Sequence, residues 1–325
     1  MKPKVLIYSK IGRKATAYIQ QYCETVSFDN VNESNRQAFV KELKDAAGLI
    51  GAGLRVDEEL LQHAPELKVV SNVSVGYDNL DVQALAKHGI IATNTPDVLN
   101  ETVADLLFGM LLASARRIPE LDGYVKEGKW EHSDDSGWFS SDVHHKTIGI
   151  IGMGGIGTAI AKRARFGFDM EILYHNRTRN EDAELKYEAM YRSLPDLLKE
   201  SDFVVLMTPL TKETEKLMGV EEFNLMKKSA FFINGSRGRT VDESALINAL
   251  QEQEIKGAAL DVFEQEPIDK ENPLLRLPNV ITLPHVGSAT YETRLAMAML
   301  AAENVVDGVL GKEPKNSITE PIKRS

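Results

Sequence analysis

Cysteine is almost absent from this 325-residue chain. Cys23 stands alone, so neither a disulfide framework nor a cysteine-based metal site can form within it. A lone thiol of this kind reads as a small buried apolar side chain. Basic residues are in deficit, 38 Lys and Arg against 48 Asp and Glu, for a formal net charge of −10. That balance argues against nucleic acid as the main partner, because a phosphate backbone wants a basic surface. Long hydrophobic runs are also lacking. The longest, residues 103–115, is interrupted by Asp105 and is shorter than the ~20 residues a membrane span requires. Residues 1–9 hold no extended apolar core and no small-residue cleavage pattern, so no secretory signal is expected. The expectation is a cytoplasmic protein with no membrane partner.

What is present is ordinary globular composition, 43% hydrophobic and 26% charged, in a chain longer than one core usually sustains. Two domains are expected. Short apolar runs at 5–8, 49–52, 69–73 and 90–92 alternate with segments such as 57–63 and 81–88, where apolar residues return every three or four positions. That rhythm implies parallel strands joined by helical crossovers. Residues 97–117 read as one long amphipathic helix with Val98, Val103, Leu106, Leu107, Met110 and Leu111 on a face and Asp97 or Asn100 as its cap. Residues 129–146 hold Trp130 and Trp138 and show no periodicity. They read as an excursion whose aromatics cover either a partner subunit or their own domain. At Thr147 the alternation restarts, with strands at 148–151, 172–174, 203–207, 231–233, 258–260 and 280–282. Helices are expected at 155–164, 194–200 and 243–251, which completes a doubly wound unit. A last helical stretch, 291–310, follows Gly287.

The strand at 148–151 runs directly into Gly152-Met153-Gly154-Gly155-Ile156-Gly157 and then a helical run. Alone, GxGxxG is weak; between a buried strand and a helix it marks a dinucleotide site. Gly152 makes the tight turn, Gly154 lets the backbone approach a pyrophosphate, and Gly157 lets helix and strand pack closely. The helix amides and dipole then face the phosphates. NAD sites place Asp or Glu at the end of the next strand to hold the ribose 2′-hydroxyl. Here that strand runs into His175-Asn176-Arg177-Thr178-Arg179, with no carboxylate at its end and two arginines beyond. Guanidinium groups suit a 2′-phosphate, and Asn176 and Thr178 can add neutral donors. The expected cofactor is NADP(H), preferred over NAD(H).

Three residues follow consecutive strands of this unit: Arg237 after 231–233, Glu266 after 258–260 and His285 after 280–282. Loops beyond the carboxyl ends of such strands line the ligand crevice. A cation, a carboxylate and an imidazole there suit hydride transfer to a 2-oxo acid, whose oxygen needs a proton as its carbon accepts hydride. A carboxylate can orient the imidazole, and an arginine can fix the substrate carboxylate and polarise the carbonyl. The other histidines read as structural or solvent-facing. No metal is expected, since Arg237 and a protonated His285 would supply the positive charge.

Over essentially its whole length the sequence resembles the D-isomer-specific 2-hydroxyacid dehydrogenase family. The matching stretches are Gly152 to Gly157, the Thr208-Pro209-Leu210-Thr211 and Thr214 segment, residues 233–242, 257–267 and 283–290. Within the family it is most similar to the bacterial NADPH-dependent glyoxylate/hydroxypyruvate reductases, a group that includes 2-ketogluconate reductases. The resemblance implies an α/β fold of two doubly wound parallel-sheet domains. A Rossmann-type nucleotide domain (99–287) would be inserted into a flavodoxin-like substrate domain (1–98 plus 288–325). It implies His285 as acid/base, Glu266 as its partner, and Arg237 on the substrate. It also implies that Ser74, Val75 and Gly76 hold the substrate carboxylate through backbone amides, a role a glycine's freedom suits. Thr102, Thr208, Pro209, Thr214, Gly235, Ser236, Asp261, His285 and Gly287 are implied around the cofactor, together with the glycine turn. The aromatic excursion resembles the family's dimerisation arm, which implies a homodimer. Two rival readings remain. One is another dehydrogenase on the same scaffold, of formate or phosphite type; formate chemistry has no oxyanion to protonate and the resemblance implies that members doing it lack a Glu266-type partner, so Glu266 counts against the formate case. A dinucleotide-sensing corepressor would keep the same trio, and turnover separates it from an enzyme.

Overall fold

A computed structural model describes residues 2–132 and 136–319; Ser133, Asp134 and Asp135 of the aromatic excursion and residues 320–325 lie outside the described residues. The chain divides into two compact units, Met1–Leu99 with Ala289–Ser325, and Asn100–Ser288.

In the first unit the elements alternate without exception: β1 (Lys4–Ile7), α1 (Arg13–Tyr22), β2 (Glu24–Ser27), α2 (Arg36–Leu43), β3 (Gly48–Gly51), α3 (Glu58–Leu61), β4 (Val69–Asn72), α4 (Val82–Lys87) and β5 (Ile91–Thr93). The five strands are parallel in the order β2-β1-β3-β4-β5, the flavodoxin-like winding. Strands covered on both faces read as continuous apolar runs, and β1, β3 and β4 are buried almost throughout. β2, the edge strand Glu24-Thr25-Val26-Ser27, is half-exposed, which is why no apolar run announces it.

The second unit opens with α5 (Asn100–Ala115) and α6 (Ile118–Lys126). It continues through β6 (Thr147–Ile151), α7 (Gly155–Phe168), β7 (Glu171–His175), α8 (Glu181–Tyr187), β8 (Met190–Tyr191), α9 (Leu194–Glu200), β9 (Phe203–Leu206), α10 (Val220–Leu225), β10 (Phe231–Asn234), α11 (Glu243–Gln251), β11 (Gly257–Leu260) and β12 (Val280–Thr282). Its seven parallel strands run β8-β7-β6-β9-β10-β11-β12, the Rossmann order extended by one strand. The order reverses between β6 and β9, so a crevice opens beyond their carboxyl ends. A final helix, α12 (Tyr291–Val309), returns to the first unit. There it lies close on β3 and β4. A side chain at Gly48 would press on Val309 and Val305, one at Gly308 would press on Val69, and the Ser71 hydroxyl donates to Ala301 O (2.8 Å). Among the described residues no helix is long and apolar enough to cross a membrane.

The expected long helix at 97–117 is shorter than its periodicity suggests. Asp97 takes φ +68 and Arg117 φ +56, a left-handed backbone that interrupts a right-handed helix, so α5 runs only from Asn100 to Ala115. Val98 is consequently outside it and exposed, while Phe108 joins the buried face.

Candidate active site

β6 ends at Ile151 and runs into Gly152, whose φ of +106 favours glycine, and a side chain there would meet Met207 O at 2.6 Å. A methyl group on Gly157 would overlap the carbonyl oxygen of Gly152, and one on Gly155 would overlap the Asn100 amide at the start of α5. Gly154 is the opposite case: nothing lies within 4 Å of where a side chain would sit. It caps α7 without any side-chain hydrogen bond, and the first turn of α7 carries no acidic residue. Among the described residues the amides of Gly155, Ile156 and Gly157 therefore have no side-chain cap, the arrangement that pyrophosphate oxygens satisfy.

Several polar groups hold this turn in place. Asn176 Oδ1 accepts from Met153 N (2.7 Å), and Asn180 Nδ2 donates to Met153 O (2.9 Å). Across the crevice, just past β9, the Thr208 hydroxyl is buried without a hydrogen-bond partner among the described residues. A buried orphan of this kind calls for a ligand or water group. Thr214 is already engaged, donating to Pro209 O (2.6 Å) and accepting from Thr211 N (2.8 Å). Thr102 sits half-buried in the first turn of α5. The uncapped amides, the open space at Gly154 and the orphaned Thr208 hydroxyl fit a nicotinamide dinucleotide.

Beyond β7 the two arginines differ. Arg179 is clamped by Glu184, with Nε to Oε1 at 2.9 Å and Nη2 to Oε2 at 2.6 Å. Arg177 and Thr178 are exposed, and no ion pair engages Arg177 among the described residues. Its charge reaches Glu213, whose carboxyl is held below the usual range mainly by the Thr211 hydroxyl, with Arg177 adding to the effect.

The chemical group lies on the far side of the same sheet. His285 Nδ1 and Glu266 Oε2 are 2.7 Å apart, and Glu266 Oε1 accepts from Phe263 N (3.1 Å). Burial pushes the Glu266 carboxyl up, but the His285 bond, the Phe263 amide and the charges of His285 and Arg237 outweigh it and leave it below the ordinary range. Arg237 is brought near by Gly238, where any side chain would overlap the Phe263–Glu264 peptide. Ser236 is knitted into the same loop, its hydroxyl 3.0 Å from both Asn234 Oδ1 and Thr240 Oγ1. Gly235 admits Leu107 of α5 at close range.

Asp261 has a distinct place. It is buried, and its two oxygens accept from Val286 N and Gly287 N, each at 2.8 Å. These bonds anchor the His285 turn, whose φ is +54. Burial holds the Asp261 carboxyl above its usual value despite both amides.

In the first unit, the carbonyls of the turn after β4 are tied within the unit, and across each trans peptide that turns the amides of Val75 and Gly76 away from those bonds. Ser74 O accepts from Thr95 N (3.0 Å), Val75 O from Asn94 Nδ2 (2.8 Å) and Gly76 O from Asn72 Nδ2 (2.8 Å). Asn72, Asn94, Asn180 and Gly238 were not singled out by sequence reasoning. Asparagines and a glycine just past strand ends were the only signal available.

A parallel sheet in Rossmann order, a glycine turn at its reversal point and a His–Glu pair with an arginine beside it define a dinucleotide-dependent dehydrogenase. The profile described as D-isomer specific 2-hydroxyacid dehydrogenase, NAD binding domain, matches residues 108–287. The chain belongs to the D-isomer specific 2-hydroxyacid dehydrogenase family. It is 47% identical over 322 residues to glyoxylate/hydroxypyruvate reductase B of Escherichia coli, covering 99% of each chain. It is 45% identical over 324 residues to the protein of that name from Escherichia fergusonii, covering 100% of each. A crystal structure of an NADPH-dependent glyoxylate/hydroxypyruvate reductase from Sinorhizobium meliloti, in complex with NADP and malonate, matches with a TM-score of 0.87 at 34% identity, covering 100% of this chain and 99% of that one.

Proposed function

We propose that the chain reduces small 2-oxo acids such as glyoxylate and hydroxypyruvate to 2-hydroxy acids, D-configured where C2 is chiral, with NADPH. The observation that carries this reading is the 2.7 Å pair of His285 and Glu266, with Arg237 beside it, beyond the strands of a sheet that also bears the glycine turn.

Residues Gly154 to Gly157 would hold the pyrophosphate, Arg177 and Thr178 the 2′-phosphate, and Thr208 the nicotinamide end. Bound there, NADPH supplies the hydride. The amides of Ser74, Val75 and Gly76 would take the substrate carboxylate, and Arg237 would help fix it and polarise the neighbouring carbonyl. His285 Nε2 donates the proton that the substrate oxygen needs as its carbon is reduced. Glu266, on Nδ1, keeps the ring oriented. Formate chemistry has no oxygen to protonate, so the pair favours a 2-oxo acid. We also propose a homodimer, supported by the exposed aromatics of the excursion, Trp130 at 59% and Phe139 at 80% exposed.

The test is NADPH consumption with glyoxylate, hydroxypyruvate, 2-ketogluconate and pyruvate, beside formate oxidation. Turnover of none of the 2-oxo acids would overturn the reading. In the same assay Arg177→Ala should lower kcat/KM for NADPH by about ten- to a hundred-fold, the worth of one charge-assisted bond, and leave NADH nearly unaffected. Equal losses with both cofactors would remove Arg177 from 2′-phosphate recognition.

Glu266→Gln replaces the carboxylate bonded to His285 Nδ1, one held below its usual range partly by that bond, with a neutral amide. One limb of the kcat/KM profile should therefore move. A superimposable profile would count against the pairing.

A further inference from the structure

The first unit carries a second feature at the carboxyl ends of its strands, a groove of about 770 Å³ beyond β1, β3 and β4. Its floor is apolar, with Ile11, Val73 and Ala298 among its walls, and Arg13, Lys14 and Arg294 stand around it. Among the described residues no Asp or Glu lines it and none of these three cations forms an ion pair. Lys10, also on the rim, is paired with Asp29 at 3.3 Å. In a chain of net charge −10, three unmatched cations around one concavity make a local positive field. The groove sits where the sheet order reverses between β1 and β3, the place where open α/β sheets take ligands.

The placement of two of these cations disfavours the fold. Arg13 and Lys14 occupy the first turn of α1, which has no acidic residue and no side-chain cap. Positive charge at a helix N-terminus opposes the dipole. Local choices that contradict stability mark functional positions.

We propose that this groove is an anion subsite, taking the phosphate or carboxylate group of a small organic acid. Val73, in its wall, directly precedes the Ser74–Gly76 turn. A 2-oxo acid seated on that turn by its own carboxylate would direct a second anionic group to Arg13, Lys14 and Arg294. That extension rests on the substrate reading above; anion binding itself does not.

The test uses the full chain. Calorimetry with inorganic phosphate and with succinate should show millimolar binding that weakens with added salt. The double variant Arg13→Glu/Lys14→Glu should raise the dissociation constant at least ten-fold. It should also melt no lower than wild type, because acidic residues suit the first turn. Arg294→Glu should weaken binding likewise, and Arg294→Lys should largely restore it. Absence of binding in wild type, or equal binding in wild type and the double variant, would overturn the subsite.

Kinetics then distinguish the source of the anion. If the far end of the substrate occupies the groove, oxaloacetate and 2-oxoglutarate should show KM values about ten-fold below those of pyruvate and 2-oxobutyrate, a preference the double variant loses. If a free anion occupies it, phosphate should alter the rate without competing with glyoxylate. Both results support the site. Phosphate binding that survives when no 2-oxo acid turns over would sink the substrate reading and leave the subsite standing.

Discussion

Replacing His285 by alanine should lower kcat for glyoxylate by about two to four orders of magnitude, the usual worth of a positioned general acid. The reduced carbonyl oxygen develops negative charge and needs a proton as the C–H bond forms. His285 is the group whose other ring nitrogen is already committed, at 2.7 Å, to Glu266, so its Nε2 is left to serve the substrate. Asp261 anchors the two amides that follow it, so the alanine variant should keep the turn and bind NADPH as wild type does. The measurement is steady-state kinetics beside cofactor titration. Activity within a few-fold of wild type would remove His285 from proton transfer, whereas lost cofactor affinity would show that the imidazole serves binding instead.

Gly157→Ala should weaken NADPH binding by at least about ten-fold and destabilise the second unit by about 1–3 kcal/mol, the range for overpacking a tight contact. The added methyl would overlap the carbonyl oxygen of Gly152, a backbone atom that cannot swing aside. Relief requires opening the turn, and the turn is pinned by Asn176 and Asn180 on Met153. Thermal melting with and without NADPH reports both effects. Gly154→Ala is the internal control, because nothing protein-borne stands within 4 Å of its added methyl: it should fold as wild type and lose affinity through the ligand alone. Unchanged NADPH affinity in Gly157→Ala would contradict a pyrophosphate seat at this turn.

Much of the fold was legible because its signals are local. The buried strands are apolar along their length, and the helices α9 and α11 run over the spans their periodicity implies, Leu194–Glu200 and Glu243–Gln251. Some elements carry no such signal. β2 is a half-exposed edge strand, β8 is two residues long, and α6 buries no residue. The ends of α5 fall inside the span its apolar spacing implies because Asp97 and Arg117 take a left-handed backbone, which that spacing does not encode.

By itself the sequence determined that two parallel sheets would form, that a glycine turn would follow the first strand of the second, and that Arg, Glu and His would stand past strand ends. These follow from period and spacing along the chain. Only the tertiary structure decided that Arg179 is claimed by Glu184, and that Gly238 presses the Arg237 loop onto the Phe263–Glu264 peptide. It alone showed that Asp261 holds the His285 turn. The reason is physical: a side chain's partner depends on which distant segments packing brings within ~3 Å, the reach of a hydrogen bond, and no periodicity encodes that.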